Sequence, residues 1–191
     1  MTGPVAAPED HLGDLAELAR FAEGTDLEET DPLTKLFLGA ATEAVRNYCE
    51  WHIFPVRREV LVLDGSGGTL LELPTGRLVA IESLTENGVI LTPDVDFEWS
   101  QTGRLRKRRC WTDRYRSIVA TVEHGHSSAQ DLLSTIYSVA ARAASSPQGA
   151  VVDNAGPFTF SAAQLSSGSG GGLGLFAHEK EILDRYALAR P

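Results

Sequence analysis

Residues 51–91 read WHIFPVRREVLVLDGSGGTLLELPTGRLVAIESLTENGVIL. Upstream of this stretch apolar residues recur every three or four positions; within it they fall into short runs separated by turns. Pro55 marks the change, because proline disfavours helix at the residue before it and forces an extended chain. The runs REVLVLD (58–64), TLLEL (69–73), LVAIESLT (78–85) and VILT (89–92) are rich in β-formers, and DGSGG (64–68), PTG (74–76) and ENG (86–88) punctuate them. Asn87-Gly88 is the strongest hairpin signal, since both central residues of the favoured two-residue turn need positive φ. DFEWS (96–100), QTG (101–103) and RSIVATVEH (116–124) continue the pattern, so residues 56–124 read as an antiparallel meander of five or six strands.

Helical periodicity flanks this insertion. In HLGDLAELARFAEG, Leu12, Leu15, Leu18, Ala19 and Ala22 mark one buried face, and Gly24 closes the helix. Asp31 caps a second helix with Pro32 in its first turn. Leu33, Leu36, Phe37, Ala40, Ala41, Ala44, Val45 and Tyr48 form its expected stripe, which runs to about Trp51. A third helix starts near Ser128 and Asp131, spaced as a capping box. It carries Leu132, Leu133, Ile136, Val139, Ala140 and Ala143, and stops at Pro147 and Gly149.

Beyond it, AGPFTFSAAQLSSGSGGGLGLF (155–176) has a glycine-serine core at 166–174 that buries too little surface to fold alone. The last short helix, HEKEILDRYAL, carries Ile182, Leu183 and Tyr186 on one side. Such a segment either docks onto another molecule or packs back on its own subunit. The pattern predicts an α+β fold: a small bundle of three to four helices, an inserted antiparallel β-meander, and a flexible C-terminal arm ending in a short helix. Its expected divisions are 1–55 for the first helices, 56–124 for the insertion, 125–149 for the third helix and 150–191 for the arm.

Hydrophobic content of 42% and charged content of 23% are globular values, so wholesale disorder is not expected. Cys49 and Cys110 match no zinc spacing and are expected to be free thiols in a reducing compartment. The start MTGPVAAPEDHLGDL lacks a basic segment followed by an apolar run, so no signal peptide is expected. No apolar stretch reaches the roughly 18 residues of a membrane span, and no membrane partner is expected.

Charge is unevenly distributed. Residues 103–111 read GRLRKRRCW, and Arg104, Arg106, Lys107, Arg108 and Arg109 are joined downstream by Arg114 and Arg116. Positions 104–116 carry +6, leaving −15 for the remainder of a chain whose formal net charge is −9. Such a block is either an interaction surface or a solvated loop tip. The acidic total argues against general coating of DNA, which depends on neutralising phosphates.

No catalytic constellation emerges. The glycine run at 168–174 lacks the Lys-Ser/Thr ending of a phosphate-binding loop. His124-Gly125-His126 has no further ligands at a recognisable metal spacing and reads as a turn between the last strand and the third helix. No Gly-x-Ser-x-Gly nucleophile elbow occurs. Cys110, beside Arg109 and Trp111, has no histidine near it in sequence. Glu28-Glu29 and Glu179/Glu181 read as solvated charges. Neither a metal nor an organic cofactor is expected, nor is enzymatic activity.

The ordered set of features resembles the head-to-tail connector (adaptor) proteins of long-tailed bacteriophages. It comprises Trp51 through Pro55 leaving a helix, Leu63-Asp64-Gly65 and Leu73-Pro74 in the first hairpins, and a Trp99…Gly103…Arg106…Trp111 hairpin. Val122-Glu123-His124-Gly125 before a capped helix, and Glu179-Lys180…Leu183…Tyr186 after a glycine-rich arm, complete it. The likeness covers residues 31 to 188.

The resemblance implies a structural virion protein at the head–tail junction, made in the host cytoplasm. Such proteins form a homo-oligomeric ring, usually of twelve copies, that joins the portal ring to stopper or tail-completion proteins. Genomic DNA passes through the lumen without sequence-specific binding. The resemblance also implies a portal-docking arm, with Leu173, Leu175, Phe176, Ile182, Leu183 and Tyr186 as its apolar contacts. Arg104, Arg106, Lys107, Arg108 and Arg109 are then expected to meet an acidic neighbouring subunit or a tail-side partner, since opposite charges register such contacts. The alternative is a nucleic-acid-binding accessory protein using the basic hairpin 104–116, with Trp99 and Trp111 available for stacking.

Overall fold

The computed structural model describes residues 12–23, 27–145, 152–155, 158–161 and 173–188. The fold is α+β, and the chain divides into two interleaved compact units. One comprises Met1–Tyr48 and Gln130–Arg185, the other Cys49–Ala129 and Tyr186–Pro191.

The helical unit opens with α1 (Leu15–Phe21). The Asp14 carboxylate caps it, accepting from the amides of Ala16 at 2.7 Å and Glu17 at 3.4 Å. Helix α2 (Pro32–Cys49) begins where the Asp-Pro signal predicts, with Asp31 Oδ1 accepting from the Leu33 amide at 2.9 Å.

Its buried face differs from the expected stripe. Thr34, Leu38, Ala41, Thr42, Val45 and Cys49 are buried, whereas Leu33 and Leu36 are 54% and 61% exposed. Apolar residues surround much of α2, so the 3.6-residue period admits two orientations. The one adopted buries Thr42, whose hydroxyl accepts from the Leu12 amide at 2.9 Å. A threonine reads as polar in the sequence pattern yet can be satisfied in the core.

Helix α3 (Gln130–Ser145) buries the predicted stripe from Leu132 to Ala143. Tyr137 connects it to α1: its hydroxyl accepts from the Asp14 amide at 2.9 Å and donates to Glu17 at 3.0 Å. An antiparallel hairpin, β8 (Val152–Ala155) and β9 (Phe158–Ser161), follows where no strand is expected. Helix α4 (Ala177–Leu183) packs on α3. Gly24, Pro147, Gly149 and the glycine-serine core at 166–172 lie outside the described residues.

The β unit contains β1 (Arg57–Leu63), β2 (Leu70–Glu72), β3 (Leu78–Glu86), β4 (Val89–Leu91), β5 (Glu98–Trp99), β6 (Arg104–Arg106) and β7 (Ile118–His124). They form two antiparallel sheets, ordered β1-β7-β3-β4 and β2-β6-β5. Only β3–β4 and β5–β6 pair as sequence neighbours; β1 with β7 and β2 with β6 are nested long-range pairs. The β3–β4 turn is the predicted Asn87-Gly88, at φ 52° and 81°. Leu71, Leu84, Leu105, Trp111, Ile118 and Val122 anchor a core drawn from both sheets. The C-terminal segment contributes too, with Tyr186 O accepting from Trp51 Nε1 at 2.6 Å and Leu188 N donating to Cys49 O at 3.1 Å.

Candidate interaction surface

The basic segment is split by structure. Arg104 and Arg106 lie on the outer side of β6, opposite Glu72 on β2 and Glu98 on β5. Each pairs with that neighbour, Arg104 Nε to Glu72 at 3.1 Å and Arg106 Nη2 to Glu98 at 2.6 Å. Lys107 turns inward instead. Its ammonium pairs with Glu86 and sits 4.3 Å from the Trp111 ring centroid, with both charged side chains largely out of solvent. The second Glu86 oxygen accepts from the Thr112 amide at 2.7 Å. Of the five basic residues predicted as an interface, only Arg108 and Arg109 have guanidinium groups without a partner among the described residues. Arg114 and Arg116, farther along the same connection, share that property.

This β6–β7 connection is held against the Asp64–Gly68 turn. Gly65 N donates to Arg114 O at 2.9 Å, Gly67 N to Thr112 O at 3.0 Å, and Trp111 N to Gly68 O at 2.7 Å. Asp64 Oδ1 accepts from the Arg116 amide at 2.7 Å. A Cβ at Gly65 would fall 2.0 Å from Thr112 O, so the close approach requires glycine. The result is an ordered cationic edge carrying Tyr115, which is 85% exposed.

The side chains expected to form the portal-docking arm have varied environments. Leu183 is fully buried, Leu175, Phe176, Ile182 and Tyr186 are half-buried, and Leu173 is exposed. Arg142 organises this region. Its guanidinium forms a fork with Glu179 at 2.9 and 3.0 Å, donates to Gly174 O at 2.7 Å, and lies 3.9 Å from the Phe176 ring centroid. Two parallel charge-assisted bonds fix direction as well as distance.

His124 is buried at the end of β7, with Nε2 2.9 Å from Glu59 Oε2. Burial lowers its pKa from the ordinary 6.5, outweighing the Glu59 contact. Burial pushes the Glu59 pKa upward, but its bonds to Arg57 and His124 bring it net below the ordinary 4.5. His52 and His126 are close by, yet among the described residues no three His, Cys, Asp or Glu side chains form a group that could hold a metal. Cys49 is a buried free thiol and Cys110 an exposed one. No helix among the described residues is long and apolar enough to cross a membrane.

Nothing in the sequence pattern marks the carboxylates that pair with three of the five basic residues. An outward aliphatic face on the four-stranded sheet also went unread, though it had a signal: Val60-Leu61-Val62-Leu63 is apolar in both alternating registers, the pattern of a strand covered on two sides.

No known protein family and no curated protein matches this sequence. The fold itself is that of chains from the necks of GTA (gene transfer agent, phage-like) particles. One, from the neck of an empty GTA particle computed with C6 symmetry, has a TM-score of 0.61 and 15% identity, covering 99% of this chain and 96% of that one. Another, from the neck of a native GTA particle computed with C12 symmetry, has a TM-score of 0.57 and 13% identity, covering 100% and 97%. The likeness in fold extends over essentially the whole chain.

Proposed function

We infer that this chain is a structural head-to-tail connector of a phage-like particle, without enzymatic activity. Twelve copies form a ring at the head–tail junction, joining the portal ring to stopper or tail-completion proteins, and DNA passes through the lumen without sequence-specific contact. The protein is made in the host cytoplasm and assembled into the virion. The observation that supports this most is the full-length likeness in fold to chains of particle necks computed with C6 and C12 symmetry. The segment around α4 carries the portal contact through Leu173 and its half-buried neighbours. Arg108 and Arg109 carry the contact with an acidic neighbour or tail-side protein, while Arg104, Arg106 and Lys107 stiffen the sheet behind them.

Light scattering on the purified protein, alone and mixed with its portal ring, tests the reading. A ring near twelve copies, or a portal complex containing many copies, is expected; a monomer indifferent to the portal refutes it. The second reading, a nucleic-acid accessory protein, draws on the arginines that lack a partner among the described residues, beside exposed Tyr115. It requires retention on duplex DNA that weakens steeply with salt.

A further inference from the structure

Two exposed apolar surfaces in this chain are unlike each other. The first is the outer face of the four-stranded sheet. Val62 lies opposite Val119, Val119 opposite Thr85, and Thr85 opposite Ile90, so one row crosses all four strands. Val62 is 48% exposed, Val119 36% and Ile90 75%. Arg114 and Arg116, whose guanidiniums have no partner among the described residues, immediately precede β7, one of the two inner strands that this row crosses.

The second surface is the outward stripe of α2. Leu33 and Leu36, three positions apart, share a face of the helix. Glu28 and Glu29 just ahead of them are exposed, and their carboxylates have no partner among the described residues.

We propose that these surfaces are the two halves of one contact between successive copies of the chain. Leu33 and Leu36 of one copy lie on the valine row of the next, with Glu28 and Glu29 facing Arg114 and Arg116. The assignment rests on the ring reading above and specifies the surfaces that build the ring.

Charge selects the partner. A closed ring repeats one heterologous contact, so each copy must present two different, mutually complementary surfaces. Here Arg114 and Arg116 stand where the chain enters β7 on the sheet face, and Glu28 and Glu29 stand ahead of the helix face. Pairing either face with itself would oppose like charges, which costs several kcal/mol in a contact. A helix laid on a sheet is also an ordinary way to cover both apolar faces. Duplex DNA would satisfy the arginines but leave Val62, Val119 and Ile90 in water.

The test uses two blocked variants of the full chain, each first shown by thermal melting to remain folded. The sheet-blocked variant carries Val62→Glu and Arg114→Glu; the helix-blocked variant carries Leu33→Asp and Leu36→Asp. Each places a charge against an apolar surface, where desolvation is costly. Both blocks are acidic, so the two blocked faces repel one another.

Sedimentation velocity, with the portal ring added as template if the wild type needs it, should show loss of the ring for each variant alone. An equal mixture should give a one-to-one dimer and nothing larger, because it retains a single good pair of faces. Combining Arg114→Glu with Glu29→Arg should restore the ring that Arg114→Glu alone loses.

A wild-type ring with both variants still assembling normally overturns these faces and leaves the ring reading standing. A wild-type chain that never associates, even on the portal, removes the ring reading and this contact together. Salt-sensitive binding of a duplex oligonucleotide, lost in the sheet-blocked variant while its ring persists, assigns the face to nucleic acid and overturns the proposal.

Discussion

Arg104, Arg106 and Lys107 run straight into Arg108 and Arg109, but the two groups end in different physical situations. The first group lies on or beside a strand, and each member faces a glutamate from the same unit. The second occupies a connection whose backbone is held by glycine amides and whose guanidiniums face solvent. A cluster of charge in a sequence is therefore not yet a cluster of charge on a surface. What matters is which strands the fold brings alongside. Within the first group there is a further division, because Lys107 is inside and the two arginines are not.

The largest expected effect follows from that division. Lys107→Ala leaves Glu86 partly desolvated without its cation, and breaking such a pair costs about 3 kcal/mol. Arg106→Ala removes an exposed pair, worth under about 1 kcal/mol. Chemical denaturation compares the two, and equal losses would erase the distinction between inner and outer pairs.

Next comes the scaffold of the second group. Gly65→Ala forces a methyl group into Thr112 O and should cost about 2 kcal/mol. Gly68→Ala, where the nearest atom is Ser66 Oγ at 3.9 Å, should stay within about 0.5 kcal/mol. If both melt alike, the turn does not hold the arginine connection in position.

The smallest effect concerns pH. The folded-state pKa of His124 lies below 6.5, so the unfolded chain binds its proton more readily, and stability is complete above that value and falls below it. Glu59 acts in the same direction at lower pH: its contribution is present above 4.5 and is lost as pH falls through its depressed folded value. Melting temperature should therefore decline in two stages on acidification. His124→Gln should remove the first stage only; a flat profile in the wild type would contradict the buried, neutral histidine.

Local chemistry made much of this fold readable. Asn87-Gly88 specified its turn because the required φ values belong to those residue types, and α3 oriented itself by an unambiguous stripe. Helix α2 did not, since Thr34 is buried by packing and Thr42 by packing and its bond to the Leu12 amide, neither of which a polarity pattern records. The neutralising glutamates were unreadable for a different reason. Glu98, Glu86 and Glu72 lie 8, 21 and 32 positions from Arg106, Lys107 and Arg104. A local hairpin brings Glu98 to Arg106, but Glu72 and Glu86 come close only through long-range pairing and packing, which follow from assembly of a core rather than from any run of residues. The basic segment was legible as a segment and illegible as to which of its charges remain available.

The pairing of β1 with β7 has a consequence for how the chain can change. These strands open and close the insertion, and their register starts at Arg57 opposite His124. The two ends of a long excursion are thereby zipped together inside the excursion itself. For the helices on either side, the insertion acts as a short link whatever its contour length. Loop-closure entropy grows slowly in any case, by about 0.6 kcal/mol per doubling of a flexible loop. Hairpins such as β3–β4 can thus lengthen, shrink or be replaced at their tips while the helical unit closes as before. Such a chain can adapt its β region to a new neighbour without renegotiating the packing of its helices.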